Sequence, residues 1–183
     1  MKITLTDFNG LMILEPDRYQ DERGFFMEAF NELTLRKHGI VTRFVQDNQS
    51  YSTHGVIRGL HFQKDPHAQT KLVRVLSGTI LDVVVDLRKN QPTYRKAWSL
   101  EISAENRQQL LVPKGFAHGF SVLSADAEVL YKIDEYYHPE AEDGIIYNDP
   151  DLAIDWKLGR EKTIVSAKDL LLPLCKDLKE VFN

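Results

Sequence analysis

Arg58-Gly59-Leu60-His61-Phe62-Gln63, then Lys71-Leu72-Val73-Arg74-Val75 and the run from Leu81 to Arg88, decide how this chain folds. Apolar and β-branched residues come in short runs closed by glycine, proline or small polar residues, which is the composition of strands. Histidine and cations sit inside those runs. The pattern returns once, at Val112-Pro113-Lys114-Gly115-Phe116-Ala117-His118-Gly119-Phe120. Two histidines on strand-like segments without a cysteine beside them leave two chemistries open, a general base or an incomplete metal site.

Working outward, residues 43–132 read almost entirely as β-structure. Turns are expected at His54-Gly55, Ser77-Gly78, Asn90-Gln91-Pro92, Pro113-Lys114-Gly115 and Ser124-Ala125-Asp126. Short strands at regular spacing predict an all-β sandwich or barrel rather than βαβ units. Along residues 80–88, Leu81, Val83, Val85 and Leu87 take one face and Asp82, Val84, Asp86 and Arg88 the other. The second face either meets solvent or lines a polar cavity, and for a single alternating strand solvent is the expectation.

Toward the N-terminus, Ile3 and Leu5, then Leu11-Met12-Ile13-Leu14 after a turn at Asn9-Gly10, read as strands ended by Pro16. Asp21-Glu22-Arg23-Gly24 is a turn, and Phe25-Phe26-Met27-Glu28-Ala29-Phe30 a further strand. Residues 31–39 form the first helix, with Asn31 as N-cap and Gly39 past its end. After Tyr147-Asn148-Asp149-Pro150 the chain turns loop-like, with short helices expected near residues 166–172 and 176–182. No repeat or linker divides it, so residues 1–183 are expected to be one domain.

Hydrophobic content of 43% and charged content of 27% are those of an ordinary globular protein. A net charge of −4 gives no general affinity for nucleic acid, though a local cationic pocket can still hold a small anion. One cysteine, Cys175, allows no internal disulfide and suits a reducing compartment. Neither a signal peptide nor a membrane span is legible, so a cytoplasmic protein is expected.

A metal site in a β-barrel needs three or four converging ligands, commonly with two close together in sequence. His61 and His118 lack such neighbours, and the acid–base reading fits better. Arg58 and Lys71 crowd His61, fixed positive charge keeps an imidazole neutral, and a phosphate would explain the cations. The plainer reading of each candidate is structural. A strand histidine is commonly a hydrogen-bonded packing residue, and Tyr131, Tyr136 and Tyr137 can be packing residues rather than proton donors or stacking platforms. Asp169 can orient a histidine, or, three residues after Ser166, merely support a helix start. Arg23 and Glu28 can be a surface pair, and His67 is assigned to the surface.

Taken together, several stretches resemble the dTDP-4-dehydrorhamnose 3,5-epimerase family. They are Asp21-Glu22-Arg23-Gly24-Phe25-Phe26, Phe44-Val45-Gln46-Asp47-Asn48, the three opening stretches, the His118 segment and Tyr147-Asn148-Asp149-Pro150. The resemblance covers nearly the whole chain in order. It implies a cupin-like jelly-roll β-sandwich acting as a homodimer, without metal or other cofactor. The implied reaction converts dTDP-4-dehydro-6-deoxy-D-glucose to dTDP-4-dehydro-β-L-rhamnose, on the route to dTDP-L-rhamnose. By similarity His61 is the general base, Tyr131 the general acid and Asp169 the partner of His61. Lys71 and His118 fall on substrate-contacting positions with Arg58 nearby, and Lys71 suits an enolate. Arg23, Glu28, Gln46, Asp47, Asn48, Glu142 and Lys168 match contacts to the nucleotide sugar, and Tyr137 the ring stacked on thymine. A single-position epimerase on the same scaffold and a non-catalytic sugar-nucleotide binding module are the alternatives.

Overall fold

The computed structural model describes residues 1–159, 163–179 and 182. Among the described residues, fourteen strands run in chain order as β1 Lys2–Leu5, β2 Met12–Glu15, β3 Arg18–Asp21, β4 Gly24–Met27, β5 Gln46–Thr53, β6 Val56–Gln63 and β7 Lys71–Ser77. They continue as β8 Thr79–Asp86, β9 Ala97–Ser103, β10 Gln109–Val112, β11 Phe116–Val122, β12 Asp126–Ile133, β13 Glu142–Gly144 and β14 Ile164–Val165. One sheet has the order β1-β2-β10-β7-β12-β5 and the other β13-β6-β11-β8-β9, with β14 alongside β6. Neighbours are antiparallel except β14 with β6. The result is the jelly-roll β-sandwich expected from the strand spacing and the resemblance.

Three apolar layers hold the sandwich. Between the sheets, Val73, Val75, Leu110 and Val129 of one meet Ile80, Val84, Phe116 and Phe120 of the other. Outside the second sheet, Leu60, Phe62, Leu81, Val83 and Val85 are covered by Ile145, Trp156, Cys175 and Phe182. Outside the first, Leu14, Leu72 and Leu111 lie under Leu35 and Ile40. Each such side chain contributes roughly 1.5–3 kcal/mol on full burial.

β8 is therefore covered on both faces, and the expectation that its Asp82 face meets solvent is corrected. Asp82 and Asp86 are wholly buried between the sheets. Asp86 takes both hydrogen-bonding arms of Arg88, Nε at 2.8 Å and Nη2 at 2.7 Å, and the Thr93 hydroxyl at 2.6 Å. A buried carboxylate survives only with such partners.

Helix α1 spans Glu32–Lys37, with the Asn31 side chain accepting from Thr34 N, and Gly39 follows at φ +80°. The strand expected over residues 25–30 stops at Met27, because Phe30 turns inward to pack against Phe44. Among the described residues β3 and β4 pair only with each other, joined by the expected turn at Glu22 and Arg23. Their aromatic side chains Tyr19, Phe25 and Phe26 remain 65%, 55% and 70% exposed. The two C-terminal helices are corrected to single 3₁₀ turns at Asp169–Leu171 and Cys175–Asp177. Glu180 and Val181, within the second, lie outside the described residues, and Phe182 makes a bridge with Arg88. No helix among the described residues is long and apolar enough to cross a membrane.

Candidate active site

The site opens between the sheets, where β6 and β11 of one face β7 and β12 of the other. His118 sits opposite His61 in the β11–β6 register, and the register slips between His118 and Phe120. Glycines permit this crossing. A Cβ on Gly119 would stand 2.6 Å from the Arg58 carbonyl oxygen, and one on Gly59 2.7 Å from the His118 carbonyl oxygen. Gly59 also holds φ +115°, which other residues rarely adopt.

A cavity of about 520 Å³ is lined by Arg58, His61, Lys71, His118, Tyr131, Lys168 and Asp169. An adjoining lobe of about 210 Å³ shares His61, Lys71 and Tyr131 and adds Gln46, Asn48, Tyr137 and Glu142. The structure thus brings together eleven of the fourteen residues singled out from the sequence. The other three are elsewhere. Asp47 faces away and pairs with Lys132 at 2.8 Å, because alternate residues of a strand point to opposite faces. Arg23 sits in the projecting hairpin turn on Asp21, and Glu28 lines a separate hollow with Tyr19 and Phe26. Arg23 and Glu28 are not each other's partners.

His61 Nε2 lies 2.7 Å from Asp169 Oδ1, while the Gly59 amide donates to Asp169 Oδ2 at 3.3 Å. An ionised carboxylate only accepts, so the hydrogen of this imidazole sits on Nε2 and Nδ1 is the basic nitrogen. Asp169 is buried and its own amide donates to Ser166 Oγ at 3.1 Å. The Asp169 carboxylate is thus engaged by His61 and the Gly59 amide rather than by a helix start. A second pair repeats the motif: His118 Nε2 approaches both oxygens of Asp82 at 3.0 Å, with a well-directed bond to Oδ2.

Lys71 lines both lobes, and its Nζ donates to the His61 carbonyl oxygen at 3.5 Å. Desolvation draws its ammonium down to about 8, opposed by the charges of Asp82 and Glu142. Burial raises the Tyr131 phenol above its ordinary value, with Arg58 working against the shift and Glu142 adding to it. Glu142 accepts from the Tyr137 hydroxyl at 2.7 Å and from Lys168 at 2.5 Å. Burial pushes its carboxyl up, but these two hydrogen bonds and the charges of Lys168 and His61 win and hold it low.

Asp82 was hidden by the expectation of a solvated strand face; its alternation with Val84 was the legible signal. Gln63 was quoted in the opening stretch without a role. Its buried amide donates to the His67 and Tyr136 carbonyls at 2.7 and 3.1 Å and accepts from the His138 amide at 2.7 Å. Ser50, whose buried hydroxyl lines the larger cavity without a protein partner, carried no signal at all.

An imidazole of fixed tautomer on one sheet and a phenol raised above its ordinary value on the other thus line one cavity, together with a buried ammonium. Groups of these kinds gathered in one cavity can remove a proton beside a carbonyl, stabilise the resulting oxyanion and return a proton.

The sequence profile of the dTDP-4-dehydrorhamnose 3,5-epimerase family matches residues 5–177. The chain belongs to that family. It is 52% identical over 165 residues to the dTDP-4-dehydrorhamnose 3,5-epimerase of Methanothermobacter thermautotrophicus, covering 90% of this chain and 89% of that one. The crystal structure of the Elizabethkingia anophelis dTDP-4-dehydrorhamnose 3,5-epimerase superposes with a TM-score of 0.92 at 48% identity, covering 97% of each chain. The dTDP-6-deoxy-D-glucose-3,5-epimerase of Legionella pneumophila, solved with dTDP-4-keto-L-rhamnose, gives 0.92 at 48% identity over 97% of this chain and 94% of that one. The chain is accordingly an isomerase of the epimerase type.

Proposed function

We propose that this epimerase acts on dTDP-4-dehydro-6-deoxy-D-glucose, inverting C3 and C5 to give dTDP-4-dehydro-β-L-rhamnose. The observation that carries the mechanism is that His61 on β6 and Tyr131 on β12, from opposite sheets, line one cavity. The C4 ketone acidifies the hydrogens on both neighbouring carbons. His61 Nδ1 takes one of them as the C–H electron pair moves into an enolate whose oxygen is stabilised by Lys71. Asp169 then stabilises the imidazolium. Tyr131 returns a proton to the opposite face of the carbon, and the phenol is restored from the medium while His61 gives up its proton. The second centre repeats the sequence. One base, one acid and one cation are enough for this chemistry.

His118 and Arg58 fit the sugar and its diphosphate, and Lys168 with Glu142 fits the nucleotide end. Tyr137 offers an aromatic face to thymine, beside Gln46 and Asn48. Arg23, Glu28 and Asp47 have no place in their own chain's cavity, and the homodimer accounts for the first two. The exposed aromatic hairpin of β3 and β4 is an uncovered apolar surface of the kind that seeks a partner. A second copy docked there can carry Arg23 and Glu28 to its neighbour's nucleotide. Asp47 pairs with Lys132, and we assign it to orienting β5. The catalytic unit is a single domain, and its compartment is the cytoplasm, where the buried thiol of Cys175 stays reduced.

Incubation with the 4-keto sugar nucleotide in heavy water tests the reading. Label at C3 and C5 of the product supports it, label at one carbon makes the chain a single-position epimerase, and no label leaves a binding module. Mixing Arg23→Ala with His61→Asn chains tests the dimer, since only sites shared across subunits regain activity in the mixture.

A further inference from the structure

We propose that His67, Glu135 and His138 form a site for a divalent transition-metal ion, which pins the loop carrying Tyr137. One ligand atom from each of these three side chains lies within 4.8 Å of the other two. Two imidazoles and a carboxylate are a donor set that zinc, cobalt and nickel accept, leaving a fourth position for water.

The surroundings are built to hold these three together. The imidazoles of His67 and His138 stack with centroids 3.6 Å apart and planes 20° from parallel. Their backbones are fastened to each other by the buried Gln63 amide, which bonds the carbonyl of His67 and the amide of His138. Gln69 secures the Glu135 carbonyl at 2.9 Å. Glu140 sits 3.2 Å from His138 Nδ1, the carboxylate–imidazole contact that commonly stands behind a metal-bound histidine and leaves its Nε2 to the ion.

The geometry needs only side-chain rotation. Tetrahedral zinc with bonds of about 2.0–2.1 Å places its donors roughly 3.4 Å apart, so the present atoms close by about 1.4 Å at most. Metal bonds lie in the imidazole plane, so one of the stacked rings must turn out of the stack. Each of the three side chains is half-exposed; Glu135 would exchange the Tyr136 amide it now accepts at 3.1 Å for the ion, or keep it with its other oxygen.

Glu135 and His138 bracket Tyr137, whose hydroxyl bonds Glu142 at the mouth of the smaller lobe. An ion held by these ligands and by His67 would tie that loop to the turn after β6. A loop ordered beforehand costs less to order on binding. The second half of the inference rests on the reading of Tyr137 as the platform for the nucleotide base.

Calorimetric titration of the untagged homodimer with Zn²⁺, and visible spectra with Co²⁺, test the site directly. Saturable binding and tetrahedral Co²⁺ bands are expected. His67→Ala and His138→Ala should each weaken Zn²⁺ binding more than tenfold, and Glu140→Gln by about tenfold, the usual cost of an outer partner. His61→Asn should leave it unchanged. Absent binding, or binding lost in His61→Asn but kept in both histidine-to-alanine variants, overturns the site. With Zn²⁺ bound, the Kd for dTDP should fall several-fold in the wild type and not in His138→Ala; an unchanged Kd overturns the loop-pinning. Failure to bind dTDP with or without metal would instead count against the nucleotide-sugar reading, and the Zn²⁺ titration would still judge the site.

Discussion

Raising the pH above 8 discharges the buried ammonium that an enolate would meet in this cavity, and the effect on rate can be worked out beforehand. Desolvation brings Lys71 to about 8 from 10.5. One pH unit above that value only about a tenth of the molecules keep the cation. If the protonated amine stabilises the C4 oxyanion, kcat/KM, which follows the ionisations of the free enzyme, falls about tenfold between pH 7 and 9. The Tyr131 phenol is raised above its ordinary value by burial, so it stays protonated through this range. Stability moves the other way. Because the folded value lies below the unfolded one, the unfolded chain binds more protons between about 8 and 10.5. This residue's contribution to stability therefore increases with pH across that window, by about 3 kcal/mol in all. A loss of rate from Lys71 is thus not a loss of fold from Lys71. The assay is kcat/KM for epimerisation from pH 6 to 10, in the wild type and in Lys71→Met. The variant should show a plateau lower by about 10²–10³-fold, typical of a lost oxyanion partner, and no alkaline limb of its own near 8. A wild-type profile flat through pH 9.5, or the same limb in Lys71→Met, would refute the reasoning.

Three further outcomes follow from single contacts. Asp169→Asn puts a donating amide where an oxygen that can only accept fixes the His61 tautomer, and removes the charge opposite the imidazolium; it should cut kcat by about 10³–10⁴-fold while dTDP binding, measured by calorimetry, persists. Gly119→Ala pushes a methyl group to 2.6 Å from the Arg58 carbonyl oxygen, and should lower stability in urea by about 1–3 kcal/mol. Phe26→Asp places a charge on the exposed hairpin. It should shift the chain from dimer to monomer in analytical ultracentrifugation and weaken dTDP binding together with it.

The sandwich was legible because strand spacing and turn chemistry are local. The helix cap at Asn31 and the Glu22-Arg23 turn fell where their side chains put them for the same reason. His61, Lys71, His118 and Tyr131 stood out as charged or titratable groups inside apolar runs. What the sequence concealed was long-range. Asp169 meets His61 across 108 positions, and nothing beside it tells that contact from a helix start. Asp82 and Asp86 alternate with valine and leucine as residues on a wet face would. Only the cover supplied by Trp156, Cys175 and Phe182 turns the other side of β8 into core as well. Arg23 and Glu28 carry the family's pattern, yet the chain's own fold holds them outside the cavity.

The central claim is that His61 and Tyr131 work on opposite faces of one sugar ring. Its most direct test is Tyr131→Phe turned over in heavy water, with deuterium uptake and product configuration read by NMR. The account predicts that hydrogen at C3 or C5 still exchanges, through His61, while inversion at one or both centres is lost. Inversion at the wild-type rate, or exchange that persists when His61→Asn is added, would contradict it.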